Sequence, residues 1–283
     1  MPTSSLRTLL DDAFQKRYGV AAFNIFNDLT IRSAIEAAEA VSSPLILQSS
    51  VKTVKLIGAA ALGAMFVEMA EQAQVPVALH LDHCPDRAVI SECIASGWNS
   101  VLFDGSGLSL EDNLRQTAEV VAEASPHGVD VEGEIEGIQG VEDGIGSEHG
   151  TDVFPLDAVV DFIERTGITC FAPAIGTSHG VYVDEPKLDS ARVTAIVESF
   201  PIPIVLHGGT GLSPAQFEDL VARGCAKVNI STALKLSYLE ACRDFFEVNP
   251  DAGDPMRMFE FLEGRVRATV TAHIELLGGA GRA

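Results

Sequence analysis

Four histidines and an aspartate stand at spacings that could do chemistry. The run Val77-Ala78-Leu79-His80-Leu81-Asp82-His83 alternates like a buried strand, which puts His80 and Asp82 on one face and leaves His83 where the strand enters its loop. His179 follows another short apolar run in Ala174-Ile175-Gly176-Thr177-Ser178-His179-Gly180. His207 ends a third in Val205-Leu206-His207-Gly208-Gly209-Thr210-Gly211. Any one of these is as much at home hydrogen-bonded in a core as bound to a metal. Three at the mouths of three strands make a three-nitrogen set suited to a catalytic Zn²⁺ with an open position for substrate. His127, His149 and His273 read as surface residues.

Two further segments carry a different signal. Gly208-Gly209-Thr210-Gly211 lets backbone approach a ligand closely, and Ser213-Pro214-Ala215-Gln216 then opens a helix with a capping box and proline at its first position. Lys227-Val228-Asn229-Ile230-Ser231-Thr232 likewise delivers a strand end into a helix N-terminus, where free amides attract phosphate. The acidic, glycine-rich stretch 132–144 is unusually long for a strand-to-helix connection. Loops of that kind are by default solvated surface, but they also serve as active-site lids.

The elements that must hold these residues repeat from end to end. Short β-rich runs at 20–26, 44–48, 76–82, 100–104, 129–135, 170–175, 203–207 and 226–230 each precede an amphipathic helical stretch. Parallel neighbours need a crossover of a dozen or more residues, so the alternation predicts a parallel sheet. Eight units in 283 residues predict a single-domain (β/α)8 TIM barrel spanning 1–283, with an additional C-terminal helix near 258–277 and a flexible tail at about 278–283. Functional residues in such a barrel sit at the C-terminal strand ends.

Composition narrows the partners. Nineteen basic against forty acidic residues leave a net charge of −21, with no basic cluster of the kind nucleic acid or an anionic membrane requires. The most apolar stretch, 57–70, is broken by Gly58, Gly63 and Glu68 and falls short of a membrane span. Five cysteines without CxxC spacing, and no secretory leader, point to reduced thiols in the cytoplasm. With 47% apolar residues the chain supports a large core, so a metal would serve function before structure.

Taken in order, Ala22-Phe23-Asn24, Leu79-His80-Leu81-Asp82-His83, Val131-Glu132-Gly133-Glu134, Val141-Glu142-Asp143-Gly144, Ile175-Gly176-Thr177-Ser178-His179-Gly180, His207-Gly208-Gly209-Thr210-Gly211 and Lys227-Val228-Asn229-Ile230 resemble the class II, metal-dependent ketose-bisphosphate aldolases over essentially the whole chain. The resemblance implies that His83, His179 and His207 bind Zn²⁺, with Glu134 as an alternative ligand or outer partner. It implies cleavage of a phosphorylated ketose to dihydroxyacetone phosphate and an aldehyde. Asp82 would move the proton of the C4 hydroxyl, and Glu142 would exchange the C3 proton. Gly180, Gly208, Gly209, Thr210, Ser231 and Thr232 match phosphate-binding positions, aided by a monovalent cation, Na⁺ or K⁺. Asn229 matches the residue on the enediolate, and Asn24 and Ser50 match substrate contacts. The family habit implies a homodimer or homotetramer.

Departures bear on the substrate. Cys84 and Pro85, Glu136 and Gln139 stand where the family usually has glycine, and Thr210 replaces a serine. Asp254-Pro255-Met256 replaces Asp-Pro-Arg, whose arginine reaches the second phosphate; Arg257 is one residue away. Fructose or tagatose 1,6-bisphosphate, a deoxy-keto-gluconate phosphate or another phosphoketose therefore all fit; a non-catalytic barrel supporting a partner aldolase is the alternative, against which the retained His83, His179, His207, Asp82 and Glu142 speak. Because the protein as a whole repels anions, substrate affinity should rest on local groups and hold or improve as salt rises. Binding titrations across ionic strength test this, and a steep loss of affinity with salt would contradict it.

Overall fold

The computed structural model describes residues 3–142, 145–147, 153–180, 182 and 186–283. In chain order the strands are β1 (Val20–Asn24), β2 (Leu45–Ser50), β3 (Val77–Cys84), β4 (Ser100–Asp104), β5 (Asp130–Glu134), β6 (Gly140–Glu142), β7 (Ile145–Ser147), β8 (Cys170–Ala172), β9 (Ile204–Leu206) and β10 (Cys225–Ile230). All but β6 and β7 close into one parallel barrel in sequence order, with β10 pairing back onto β1. The pair β6 and β7 forms an antiparallel hairpin within the long connection after β5. The predicted eight-unit barrel is thus the observed one, and the hairpin is an addition that its glycine-rich sequence did not announce.

The helices are α1 (Leu6–Lys16), α2 (Asp28–Ala40), α3 (Val51–Ile57), α4 (Ala59–Ala70), α5 (Arg87–Ala95), α6 (Leu110–Ala124), α7 (Leu156–Thr166), α8 (Ser190–Ser199), α9 (Pro214–Arg223), α10 (Thr232–Val248) and α11 (Pro255–Leu276). Their starts follow local chemistry. Asn27 with Thr30 and Ser213 with Gln216 form reciprocal capping boxes, and Pro214 occupies the first turn where its missing N–H costs nothing. The helical stretch after β2 is two helices, α3 and α4, which meet at Gly58 at a 95° bend. Among the described residues no single helix is long and apolar enough to cross a membrane.

Two packing layers position the mouth of the barrel. The outer layer sits between strands and helices and includes Phe23, Phe66, Trp98, Phe103, Phe162 and Phe171. The inner one fills the lower lumen with Val20, Ala22, Ile46, Ala78, Cys170, Ala172, Val205 and Ala226, and α1 closes it from below with Leu6, Leu9, Leu10 and Ala13. Sequence periodicity had passed over α1, whose role is to seal an apolar floor that would otherwise meet water.

The C-terminal helix packs on its own barrel, burying Leu262, Val266, Val270 and Ile274 against α2, α10 and β1. His273, read as a surface residue, is largely covered there, edge-on to Phe23 and bonded to the Thr269 carbonyl at 2.8 Å. Residues 278–283, read as a flexible tail, are tied back by N–H bonds from Gly281 to the Val41 carbonyl and from Ala283 to the Ser42 carbonyl. Leu10 is fully buried under the barrel. Leu10→Ala should cost about 2–5 kcal/mol of unfolding free energy in a denaturant titration, and a cost near zero would show that α1 does not seal the floor.

Candidate metal centre and active site

Asp82 and His83 are sequence neighbours on one strand, so regular pleating would send them to opposite faces. The chain resolves this by leaving the ladder. The pairing of β3 with β4 shifts register between Leu81 and Cys84, and His83 takes φ +42°, a left-handed conformation uncommon for a side chain other than glycine. Both side chains are therefore buried at the barrel mouth, 2% and 6% exposed. Strand periodicity put Asp82 on one face with His80 and His83 where the strand enters its loop; the kink is what brings Asp82 and His83 to one place.

The three histidines of the sequence reading converge. Ring centroids lie 4.6 Å apart for His83 and His207, 5.0 Å for His83 and His179, and 5.9 Å for His179 and His207. One donor atom from each falls within 4.8 Å of the others. The outward nitrogens of two rings are held by carboxylates: His83 Nδ1 donates to Asp104 at 3.0 Å and His207 Nε2 to Glu132 at 2.8 Å. That leaves His83 Nε2 and His207 Nδ1 facing each other at 2.7 Å. His179 Nδ1 is buried with no hydrogen-bond partner, as is Glu134 Oε2, which lies 3.7 Å from His207 Nδ1. Orphaned buried lone pairs are costly, and a divalent cation among them satisfies them together. The donor set therefore fits a divalent metal, and the Glu134 carboxyl lies beside it.

Electrostatics point the same way. Burial brings His179 down to about 4, and burial with the neighbouring His83 and Lys227 charges holds His207 well below the usual imidazole range. Burial would lower His83 too, but the carboxylates of Glu134, Asp82 and Asp104 outweigh it and hold that ring protonated well above its ordinary range. Burial also works against ionised Asp104, yet its bond to His83 and the His83 charge keep it far below the carboxylate range.

Asp82 is held by two amides. Asn24 Nδ2 donates to Oδ2 at 2.8 Å and Asn229 Nδ2 to Oδ1 at 3.2 Å. Each amide is oriented from behind, Asn24 by Gln48 Nε2 at 2.7 Å and Asn229 by Lys227 Nζ at 2.8 Å. Burial favours the neutral acid, but His83, Lys227, His207 and the Asn24 bond prevail, leaving Asp82 ionised below its usual range and competent to accept a proton.

The remaining expectations fall around this centre. Gly208, with φ +68°, lies so close to the β8 loop that a Cβ would sit 2.5 Å from the Ser178 carbonyl oxygen. Ser231 precedes α10 without capping it, and its hydroxyl is buried and unpartnered, so the amides that begin at Thr232 lack a side-chain cap. Gly180 and Thr210 are half-buried and Gly209 is buried in the loops after β8 and β9. Ser50 is buried beside Asp82 in register and caps α3. Glu142 ends β6, but its side chain lies outside the described residues, as do Asp143 and Gly144. Arg257 is exposed and points to Asn249 at 3.4 Å, and Met256 is exposed beside it.

Sequence reasoning missed Asp104, Gln48 and Tyr182, and left Glu132 and Lys227 without a role. Tyr182 donates to the Gly208 carbonyl at 2.6 Å and accepts from Ser178 N–H at 3.0 Å, pinning the two glycine loops together. Asp104 carried the same signal as Asp82, a carboxylate at a strand's C-terminal end. Because a metal must displace the His83 proton, affinity should rise with pH through the neutral range. Asp104→Asn should weaken metal binding by about tenfold to a hundredfold in a chelator competition, and unchanged affinity would remove Asp104 from the site.

Comparison with known proteins agrees with the fold. The family model described as fructose-bisphosphate aldolase class-II matches residues 4–282. A sulfofructosephosphate aldolase of Alkalicoccus urumqiensis is 36% identical over 247 residues, 87% of this chain and 86% of that protein. The D-tagatose-1,6-bisphosphate aldolase subunit GatY of Klebsiella oxytoca is 33% identical over 98% of both chains. The crystal structure of the YdjI aldolase from Escherichia coli K12 superimposes with a TM-score of 0.87 at 31% identity, covering 100% of each chain. With its barrel, its three converging histidines and a match from end to end, this chain belongs to the class II fructose-bisphosphate aldolase family of carbon–carbon lyases.

Proposed function

We propose that this protein reversibly cleaves a phosphorylated ketose to dihydroxyacetone phosphate and an aldehyde, using a zinc ion held by His83, His179 and His207. The observation that carries this reading is the convergence of three imidazole donors, one with an unpartnered buried nitrogen, beside an ionised Asp82 held by two amides. When bound, Zn²⁺ supplies Lewis-acid stabilisation of the negative charge left on the three-carbon fragment.

The chain's own residues do the rest. Asp82 takes the proton of the C4 hydroxyl as the C3–C4 bond breaks, and its electron pair stays with the C3 fragment. Asn24 and Asn229 keep the Asp82 oxygens aimed by spending their N–H groups on them. Glu142 returns a proton to C3. The ketose phosphate seats where the Ser231 hydroxyl, the uncapped α10 amides and the Gly180, Gly208, Gly209 and Thr210 backbone meet, with Na⁺ or K⁺ completing its neutralisation. Ser50 lies beside Asp82 to contact the substrate.

The exposed setting of Met256 and Arg257 supports a distal group other than phosphate as readily as a bisphosphate. Exposed Leu236, Leu239, Phe246 and Val248 on α10 and Met256 and Phe259 on α11 support burial in a homodimer or homotetramer. Five free thiols support the cytoplasm.

One coupled assay tests the reading: release of dihydroxyacetone phosphate from ketoses phosphorylated at C1 and carrying phosphate, sulfonate, carboxylate or hydroxyl at the far end, with and without chelator. Chelation should abolish cleavage and Zn²⁺ restore it. Full activity after verified metal removal would refute the metal role, and absence of cleavage across the panel by metal-loaded protein would favour a supporting subunit. Glu142→Ala should keep its metal but lose C3 proton exchange, by about a hundredfold or more.

A further inference from the structure

Glu136 stands where the resembling family usually has glycine, and it is fully buried outside the metal centre. A carboxylate there needs partners, and it has three. Oε1 accepts from the Phe154 N–H at 2.9 Å, Oε2 accepts from the Ala174 N–H at 2.8 Å, and the Arg192 guanidinium of α8 pairs with Oε1. Arg192 is itself largely covered, its side chain 11% exposed. One side chain therefore joins four segments: the exit from β5, the return of the same connection before α7, the exit from β8 that leads to His179, and α8.

Between the first two segments runs the connection that carries the β6–β7 hairpin and Glu142. Its near end is registered on the metal ligand itself. The His179 N–H donates to the Gln139 carbonyl at 2.7 Å, and Gln139 bridges Ser178 in parallel fashion. Gly140, at φ +95°, approaches so closely that a Cβ would lie 2.5 Å from the His179 carbonyl oxygen. Closing the connection at its base with a charge-assisted set, and locking its first strand to the His179 loop, confines the arrangements open to the hairpin.

We propose that the Glu136–Arg192 pair is a positioning device for the reaction, setting the hairpin that carries Glu142 against the His179 loop and thereby the rate of C3 proton exchange, without touching substrate. The inference rests on the reading of Glu142 as the group that exchanges this proton. A rigid base matters because a displacement of about 1 Å in a reacting group can cost about a hundredfold in rate.

The test follows exchange of the C3 proton of dihydroxyacetone phosphate into deuterated water by NMR, on zinc-loaded protein. Glu136→Gln preserves volume and loses the charge. Its exchange should fall by about tenfold to a hundredfold while bound metal and the KM for dihydroxyacetone phosphate change by less than about twofold. Arg192→Gln should match it, and Arg192→Lys, which keeps the charge, should recover most of the rate. In a Glu142→Ala background, Glu136→Gln should cause no further loss, since both act through one group. Amide hydrogen exchange of residues 137–142 should quicken in Glu136→Gln, a readout independent of turnover.

Wild-type exchange by folded, metal-loaded Glu136→Gln, or a loss that adds in full to that of Glu142→Ala, overturns the inference alone. Wild-type exchange by Glu142→Ala overturns the base assignment, and this inference with it. Should Glu136→Gln not fold, the contrast between Arg192→Gln and Arg192→Lys decides, equal rates in the two counting against the proposal.

Discussion

Glu132 and Lys227 face each other across the barrel lumen at 2.8 Å, both fully buried. Removing two such ions from water costs several kcal/mol each, and attraction offsets that only when the remaining lone pairs and protons are engaged as well. Glu132 meets the condition through His207, and Lys227 meets it through Asn229. Either ion left alone would be untenable at that depth. The upper lumen therefore exists as one connected polar set resting on an apolar floor.

From that pair the orientation of His207, Asn229 and Asp82 can be followed. Because the Lys227 ammonium only donates, Asn229 must turn its carbonyl oxygen toward it and its N–H toward Asp82. Because ionised Glu132 only accepts, His207 must carry its proton on Nε2, which leaves Nδ1 for the histidine cluster. Burial opposes the Glu132 charge, but Lys227 and His80 keep its carboxyl below the usual range. The same logic recurs on the far side, where Gln48 orients Asn24 and Asp104 orients His83. Rotamers held this way need little reorganisation when charge develops on a substrate.

Around this rigid centre the proposed binding groups are of another kind. The loops after β8 and β9 and the start of α10 offer backbone amides and small side chains, and Tyr182 ties the two loops to each other. That arrangement suits a protein with a net charge of −21, because backbone dipoles would attract an anion at contact while the distant field repels it. In the proposed function chemistry is entrusted to strand ends and recognition to loops, with the Glu136 junction between the two.

The alternation of β and α units, the three strand-end histidines, Asp82 and the glycine turns after β9 were legible in the sequence, because each is a local signal of period, residue type and spacing. Less was visible wherever the meaning of a residue depends on what stands across the barrel. Glu132 and Lys227 lie 95 residues apart and look like ordinary charges until closure brings them together. Asp104 stood at a strand end like Asp82 and became informative only beside His83. The kink at His83, the floor sealed by α1, and the joining of Phe154, Ala174 and Arg192 by Glu136 likewise required the closed fold. The sequence by itself determined which groups could react and which strand ends would present them. Tertiary structure alone decided which of them are charged, which nitrogen or amide face each one offers, and what holds it there, because those properties follow from burial and long-range partners that local order does not encode.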